Sequence, residues 1–208
     1  MTERRFPIKR TLISLDCDGV LTDYLHGIPR AWEAEFGTKV SARKLGYYSA
    51  SNVYGLDLTD PEVDERFFSS LGHEFWSDMP ALPGALEACR ILVDKGYDLV
   101  CVTAMPNRFE SSRASNLKRL GFPIQRVFAQ ERKDGEANPK LHRLSELAPR
   151  AFVDDLLENF QGLNSGIHKA WLDAGHIDSP NRPHVEHGWH DAVHPNLLDF
   201  AESFPAVR

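Results

Sequence analysis

Two aspartates separated by one residue and followed by glycine, in Asp16-Cys17-Asp18-Gly19-Val20-Leu21-Thr22, carry the clearest chemistry in this chain. Carboxylates so close together repel one another, and an acidic turn closing the preceding apolar run is the plain alternative. A hard dication removes the conflict, because magnesium takes oxygen ligands: a few carboxylates and the oxygens of a bound phosphate. The spacing also allows two roles, one carboxylate attacking as a nucleophile and the other serving as acid and base. Three later groups favour the chemical reading. Thr103-Ala104 ends an apolar run with a hydroxyl and a backbone N–H. Lys140, in Asn138-Pro139-Lys140, opens a helical pattern where the helix dipole already favours anions. Asp154-Asp155 sets a second acidic pair behind Phe152-Val153, which again asks for a cation or dense hydrogen bonding.

These residues sit at the ends of short apolar runs at 11–15, 98–102 and 151–153, and similar runs occur at 126–129 and 169–172. Each predicts a strand buried on both faces, as in a parallel sheet. Helical patterns separate them: 85–93 after Pro83-Gly84, 108–120 before Gly121-Phe122-Pro123, 140–147, and 156–163. The alternation predicts an α/β fold, a Rossmann-like doubly wound parallel sheet. Segment 22–79 departs from it, being aromatic and charged, with helices expected near 30–36 and 62–76. Ligands of such sheets bind at the carboxyl ends of the strands. An insertion directly after the first strand is therefore expected to be a helical cap, 22–79, over a core formed by 1–21 and 80–208. The stretch 176–194 reads as a loop before a final helix near 195–204.

Composition bounds the partners. With 208 residues, 42% hydrophobic and 26% charged, the chain can bury a sizeable core. A net charge of −6 gives no footprint for a nucleic acid polymer or an anionic membrane. No run of 18 apolar residues occurs and no signal-peptide pattern opens the chain, so a cytoplasmic protein is expected. Cys17, Cys89 and Cys101 lack metal or redox spacing and read as reduced structural thiols. The histidines His176, His184, His187, His190 and His194 invite a zinc reading, but no cysteine lies nearby to complete a structural site. Polar loop surface, with one or two contacts at the edge of the site, is the reading taken. Arg4-Arg5 and Lys9-Arg10 read as solvated charge, and Glu158-Asn159 as helix surface or a support for metal-bound water.

Taken in order, the Asp-x-Asp-Gly-Val motif, the Thr-ended strand, the downstream lysine and the acidic pair resemble the four motifs of the haloacid dehalogenase-like (HAD) superfamily, over about 11–172. The resemblance implies a magnesium-dependent phosphomonoester hydrolase acting on a small phosphorylated metabolite. Asp16 would become an aspartyl-phosphate and Asp18 would be the acid/base. Magnesium would be held by the Asp16 carboxylate, the Asp18 backbone carbonyl and Asp155, with Asp154 behind them. Thr103 and the Ala104 N–H would bind phosphoryl oxygens, and Lys140 would neutralise charge. Dehalogenating members lack an acid/base at the Asp18 position and transport ATPases carry threonine there, so a phosphatase or a sugar-phosphate phosphomutase is implied, with hydrolysis preferred. A non-catalytic phospho-ligand binding module on the same fold is the other alternative, and the presence of every catalytic position argues against it. More narrowly, the early cap, the stretch 75–85, Asn181-Arg182 and Gly188-Trp189-His190-Asp191 resemble the 5′(3′)-deoxyribonucleotidase branch. There, cap aromatics stack on the base of a nucleoside monophosphate, for which Tyr24, Trp32, Phe36, Tyr47, Tyr48 and Tyr54 are the candidates. The chain departs from that branch at Lys140, which lies in Asn-Pro-Lys and not in a basic Arg-Asp-Lys loop.

Overall fold

The structure, a computed structural model, describes residues 11–41, 43–133 and 135–207; Arg4-Arg5 and Lys9-Arg10 lie outside the described residues. The strands are β1 (Thr11–Leu15), β2 (Tyr97–Thr103), β3 (Ile124–Ala129), β4 (Ala151–Asp154), β5 (His168–Leu172) and β6 (Ala192–His194). The helices are α1 (Ile28–Phe36), α2 (Ala50–Tyr54), α3 (Pro61–Ser70), α4 (His73–Ser77), α5 (Ala85–Asp94), α6 (Glu110–Arg119), α7 (Leu141–Leu147) and α8 (Leu197–Ser203). The six strands form one sheet in the order β3-β2-β1-β4-β5-β6, with every pairing parallel. Winding runs outward from β1 to β2 and β3 on one side and to β4, β5 and β6 on the other. The crevice at the carboxyl ends of β1 and β4 is thus the switch point, where such sheets bind ligands.

The apolar runs form central strands because both faces are covered. Ile13, Leu15, Leu99 and Cys101 face one cluster with Ala88, Leu92 and Phe200 of α5 and α8. Val100, Val102 and Phe152 face the other, with Leu144 of α7 and Phe160. Among the described residues, no helix is long and apolar enough to cross a membrane.

Three expectations are corrected. The pattern at 156–163 forms only a 3-10 turn, Leu157–Phe160, so β4 passes to β5 without a full helix. The Asn138 side chain takes the carbonyls of Asn159 and Gln161 that a helix would use internally. Gly162, at φ 77°, then turns the chain away. The helix expected over 62–76 divides into α3 and α4 at Leu71-Gly72, where both residues are extended. The 176–194 stretch contains a 3-10 turn, Arg182–His187, and the edge strand β6, which its three residues are too few to announce.

Segment 22–79 holds α1 to α4 around a cluster of its own, in which Phe67, Val53, Tyr54 and Phe75 are buried with Met105 and Phe109 of the sheet side. It leaves and returns side by side: Asp23 N donates to Pro80 O at 3.0 Å and Leu82 N to Leu21 O at 2.9 Å.

Candidate active site

The Asp16 N–H donates to Val153 O at 2.9 Å, so Asp16 continues β1 along β4. The following turn closes on the Cys17 carbonyl, which accepts from Leu21 N at 2.7 Å and Thr22 N at 2.9 Å. Gly19 sits in this turn at φ 83°, in the left-handed region. A Cβ there would lie 2.3 Å from Asp155 Oδ2, closer than any real contact. Gly19→Ala is therefore expected to displace the Asp155 carboxylate and to cost about 1–3 kcal/mol in stability. Urea unfolding of the variant checks this, and an unchanged midpoint would contradict it.

Asp16, Asp154 and Asp155 each bring a carboxylate oxygen within 4.8 Å of the others. One cation stands among them. The Lys140 Nζ, 1% exposed, lies 2.6 Å from Asp154 Oδ2 and 2.7 Å from Asp16 Oδ1. The second contact is the ion pair that meets the buried Asp16 Oδ1. Asn138 builds this corner: its Oδ1 accepts from Lys140 N at 3.0 Å while its amide holds the 157–160 turn. Asn159 donates to both Asp154 oxygens at 3.0 Å, and Leu156 N to Oδ1 at 2.8 Å. Asn181 donates to the Asp155 carbonyl at 2.7 Å, as does the Trp171 indole at 3.2 Å.

Burial alone would lower the Lys140 ammonium, but Asp154 and Asp16 outweigh it and hold its pKa above the usual range. Burial lifts Asp155 well above an ordinary carboxyl, and the charges of Asp154 and Asp16 add to the rise. Burial likewise pushes Asp154 up, against the pull of Lys140. Three carboxylates with one ammonium leave an excess of negative charge. An all-oxygen donor set of three buried carboxylates offset by one ammonium suits a hard dication.

Asp18 does not join this cluster with its side chain. Arg113 of α6, fully buried, reaches both its oxygens at 2.8 and 3.0 Å, and the Thr22 hydroxyl donates to Oδ1 at 3.0 Å. Burial raises the Asp18 pKa, Arg113 opposes the rise and Asp16 adds to it. Thr103 closes β2, one strand over from Asp16, and is buried, with Ala104 exposed beyond it. Glu158 points elsewhere, 3.1 Å from His184 Nε2.

A cavity of about 780 Å³ opens from Asp18 and Gly19, bounded by Tyr24, Arg43, Tyr48, Leu58 and Phe68 of the segment 22–79 and by Leu172 and His176. Of the six aromatic candidates, Tyr24 and Tyr48 line it. Trp32 and Phe36 instead pack on each other, ring centroids 4.4 Å apart, and on Phe67, at 5.2 and 6.4 Å, and Tyr54 spends its hydroxyl on Leu25 O at 2.9 Å. His176 meets the Tyr48 ring at 5.7 Å, a contact at the cavity edge. His184 and His187 stack on Trp189, and His194 pairs with Asp199 at 2.7 Å.

Arg113, Asn138 and Asp178 are absent from the sequence-based set. Asp178 accepts from Tyr48 N at 2.5 Å, Ser49 N at 3.1 Å, Ser49 Oγ at 2.7 Å and Asn52 Nδ2 at 2.7 Å, joining the loop after β5 to the start of α2. The partners of Arg113 and Asp178 lie up to 95 and 130 residues away, so no local motif announces them, while Asn138 joins Lys140, two residues on, to Asn159, 21 residues on.

The sequence profile of the family described as 5′ nucleotidase, deoxy (pyrimidine), cytosolic type C protein (NT5C) matches residues 10–122, more than half of the chain. No curated protein sequence matches. Among solved structures, a predicted phosphatase from Clostridium acetobutylicum superposes with a TM-score of 0.60 at 16% identity, covering 93% of this chain and 97% of that one. A HAD family hydrolase from Deinococcus radiodurans R1, with bound phosphate and sodium, gives 0.58 at 14% identity, covering 92% and 93%. A dehalogenase gives 0.61 at 13% identity, covering 97% and 100%. These likenesses establish the HAD-like fold.

Proposed function

The chain belongs to the cytosolic type C deoxy (pyrimidine) 5′-nucleotidase family of HAD-like hydrolases, and on that premise we propose that it is a magnesium-dependent phosphomonoesterase acting through an aspartyl-phosphate on Asp16, with nucleoside monophosphates as its substrate class. The observation that carries this reading is the buried cluster at the switch point: Asp16, Asp154 and Asp155 around Lys140.

Asp16, the Asp18 backbone carbonyl and Asp155 would hold the magnesium, which when bound neutralises charge on the phosphoryl oxygens. Asp154, engaged by Lys140, Asn159 and Leu156 N, acts by fixing Lys140. Thr103 and the Ala104 N–H steady the phosphoryl group. An Asp16 oxygen then forms a bond to phosphorus as the ester P–O bond breaks, and the leaving oxygen takes a proton from Asp18. Water next attacks phosphorus, gives its proton to Asp18, and the Asp16–phosphorus bond breaks to restore both aspartates. Such chemistry draws on positioning and charge neutralisation, which this cluster supplies.

Segment 22–79 acts in this proposal as a cap whose Tyr24 and Tyr48 receive the leaving group, and Asp178 is its latch. Burial raises the Asp178 carboxyl, but donors from Tyr48, Asn52 and Ser49 outweigh that and hold its pKa well below the usual range. The sign follows: its contribution is present above about pH 4 and is lost as pH falls through the lowered folded value. Asp178→Ala is expected to lower stability by about 1–2 kcal/mol and to raise KM more than it lowers kcat. Thermal unfolding and steady-state kinetics check it; a changed kcat with unchanged KM would contradict the latch.

The proposal is tested by phosphate release from nucleoside 3′- and 5′-monophosphates, sugar phosphates and phosphoglycolate, with magnesium and with EDTA. Release that needs magnesium and favours nucleotides is expected. Release of equal rate in EDTA, or none from any ester at high enzyme concentration, would contradict it.

A further inference from the structure

Asp18 is gripped by a residue that no motif contains. Arg113 is 0% exposed, and its Nη2 spans Asp18 Oδ1 and Oδ2 at 2.8 and 3.0 Å. Its other amino group is held in turn: Nη1 donates to Thr22 Oγ1 at 3.3 Å, to Met79 Sδ at 3.1 Å and to Asn116 Oδ1 at 3.4 Å. Asn116 anchors the same place by donating to Met79 O at 2.9 Å. The guanidinium lies over the Trp76 ring, 5.3 Å from its centroid. Thr22 is where the chain leaves the sheet for the segment 22–79, and Trp76 and Met79 are where it comes back. One buried cation thus ties Asp18 to both crossings.

Burying an arginine is costly, and a pair of this kind gives little net stability against an apolar replacement. What a rigid planar guanidinium does give is orientation: with Nη1 held by Thr22, Met79 and Asn116, the position of Nη2 and of the carboxylate that meets it is set. Asp18 needs that, because its side chain projects from the tight turn closed on Cys17 and is 22% exposed, with Thr22 the other side-chain group bonded to it among the described residues.

We infer that Arg113 is a positioning residue for the proton transfer to the leaving oxygen: it sets the Asp18 carboxylate in line with the ester and joins that placement to the hinge of the segment 22–79. The inference rests on the acid/base reading of Asp18 given above. A misplaced acid penalises poor leaving groups and spares good ones, because a nitrophenolate departs without a proton whereas an alkoxide does not.

The experiment compares kcat/KM for a nucleoside 5′-monophosphate with kcat/KM for 4-nitrophenyl phosphate in wild type, Asp18→Asn and Arg113→Lys. A lysine keeps the charge but has no second amino group to be held at Thr22, Met79 and Asn116 while the first meets Asp18. Asp18→Asn is expected to lower the alkyl-to-aryl ratio by about 10²-fold or more and Arg113→Lys by about tenfold or more. In the Asp18→Asn background, adding Arg113→Lys is expected to lower the ratio no further, since Arg113 acts through Asp18. The ratio is taken within one preparation and does not depend on the fraction folded. If Arg113→Lys does not fold at all, Arg113→Gln reads the same quantity. An unchanged ratio in a folded Arg113 variant, with Asp18→Asn showing the loss, would overturn the inference and leave a purely structural ion pair. An unchanged ratio in Asp18→Asn as well would overturn the acid/base reading beneath it.

Discussion

Asp16→Asn is expected to give a folded protein with no measurable phosphatase turnover, a loss of at least about 10⁴-fold. The amide has nearly the shape of the carboxylate, so β1, β4 and the Cys17 turn keep their contacts. It lacks the charge that attacks phosphorus, and it removes one of the three clustered carboxylates, two of which pair with Lys140. Folding is therefore spared, because the excess negative charge of the cluster falls. Circular dichroism and phosphate release on the same preparation check both halves. Turnover within tenfold of wild type, with the substitution verified by mass, would remove Asp16 from the chemistry.

Lys140→Met is expected to lose stability as well as turnover. The ammonium is buried between Asp16 and Asp154, and methionine can fill its volume but not its charge. Breaking a buried pair by deleting one partner leaves an uncompensated charge and costs about 3–5 kcal/mol. The variant is thus expected to lose roughly that much stability in EDTA and to regain part of it when magnesium at millimolar concentration occupies the acidic cluster. Turnover is expected to fall by at least about 10²-fold. Urea unfolding with and without magnesium checks the stability claim. A variant as stable as wild type in EDTA would mean that Lys140 does not offset the carboxylates.

How much of this was legible depends on whether the information was local. The strands β1, β2, β4 and β5 were readable because each is an apolar run covered on both faces, and their ends carry Asp16, Thr103 and Asp154. Lys140 was readable as a residue but not as a buried one; its burial follows from Asn138 holding the 157–160 turn. The same contacts explain why the apolar spacing of Leu156, Leu157, Phe160 and Leu163 did not make a helix. Arg113 looked like one more polar residue in the hydrophilic helix α6, since its partners come from the first turn of the sheet and the return of segment 22–79. Among the aromatic candidates, composition could not separate Tyr24 and Tyr48, which line the cavity, from Trp32 and Phe36, which pack against Phe67.

The central claim is that phosphate passes through a covalent bond to Asp16, and trapping that bond tests it most directly. Wild-type enzyme turning over a nucleoside monophosphate with magnesium is quenched in acid within milliseconds, digested, and mapped by mass spectrometry. A phosphoryl group on the peptide containing Asp16, lost on treatment with hydroxylamine and absent in Asp16→Asn, is the predicted result. Turnover accompanied by a phosphoryl group on another residue, or by none at any quench time while nucleoside release shows a burst ahead of phosphate, would contradict it.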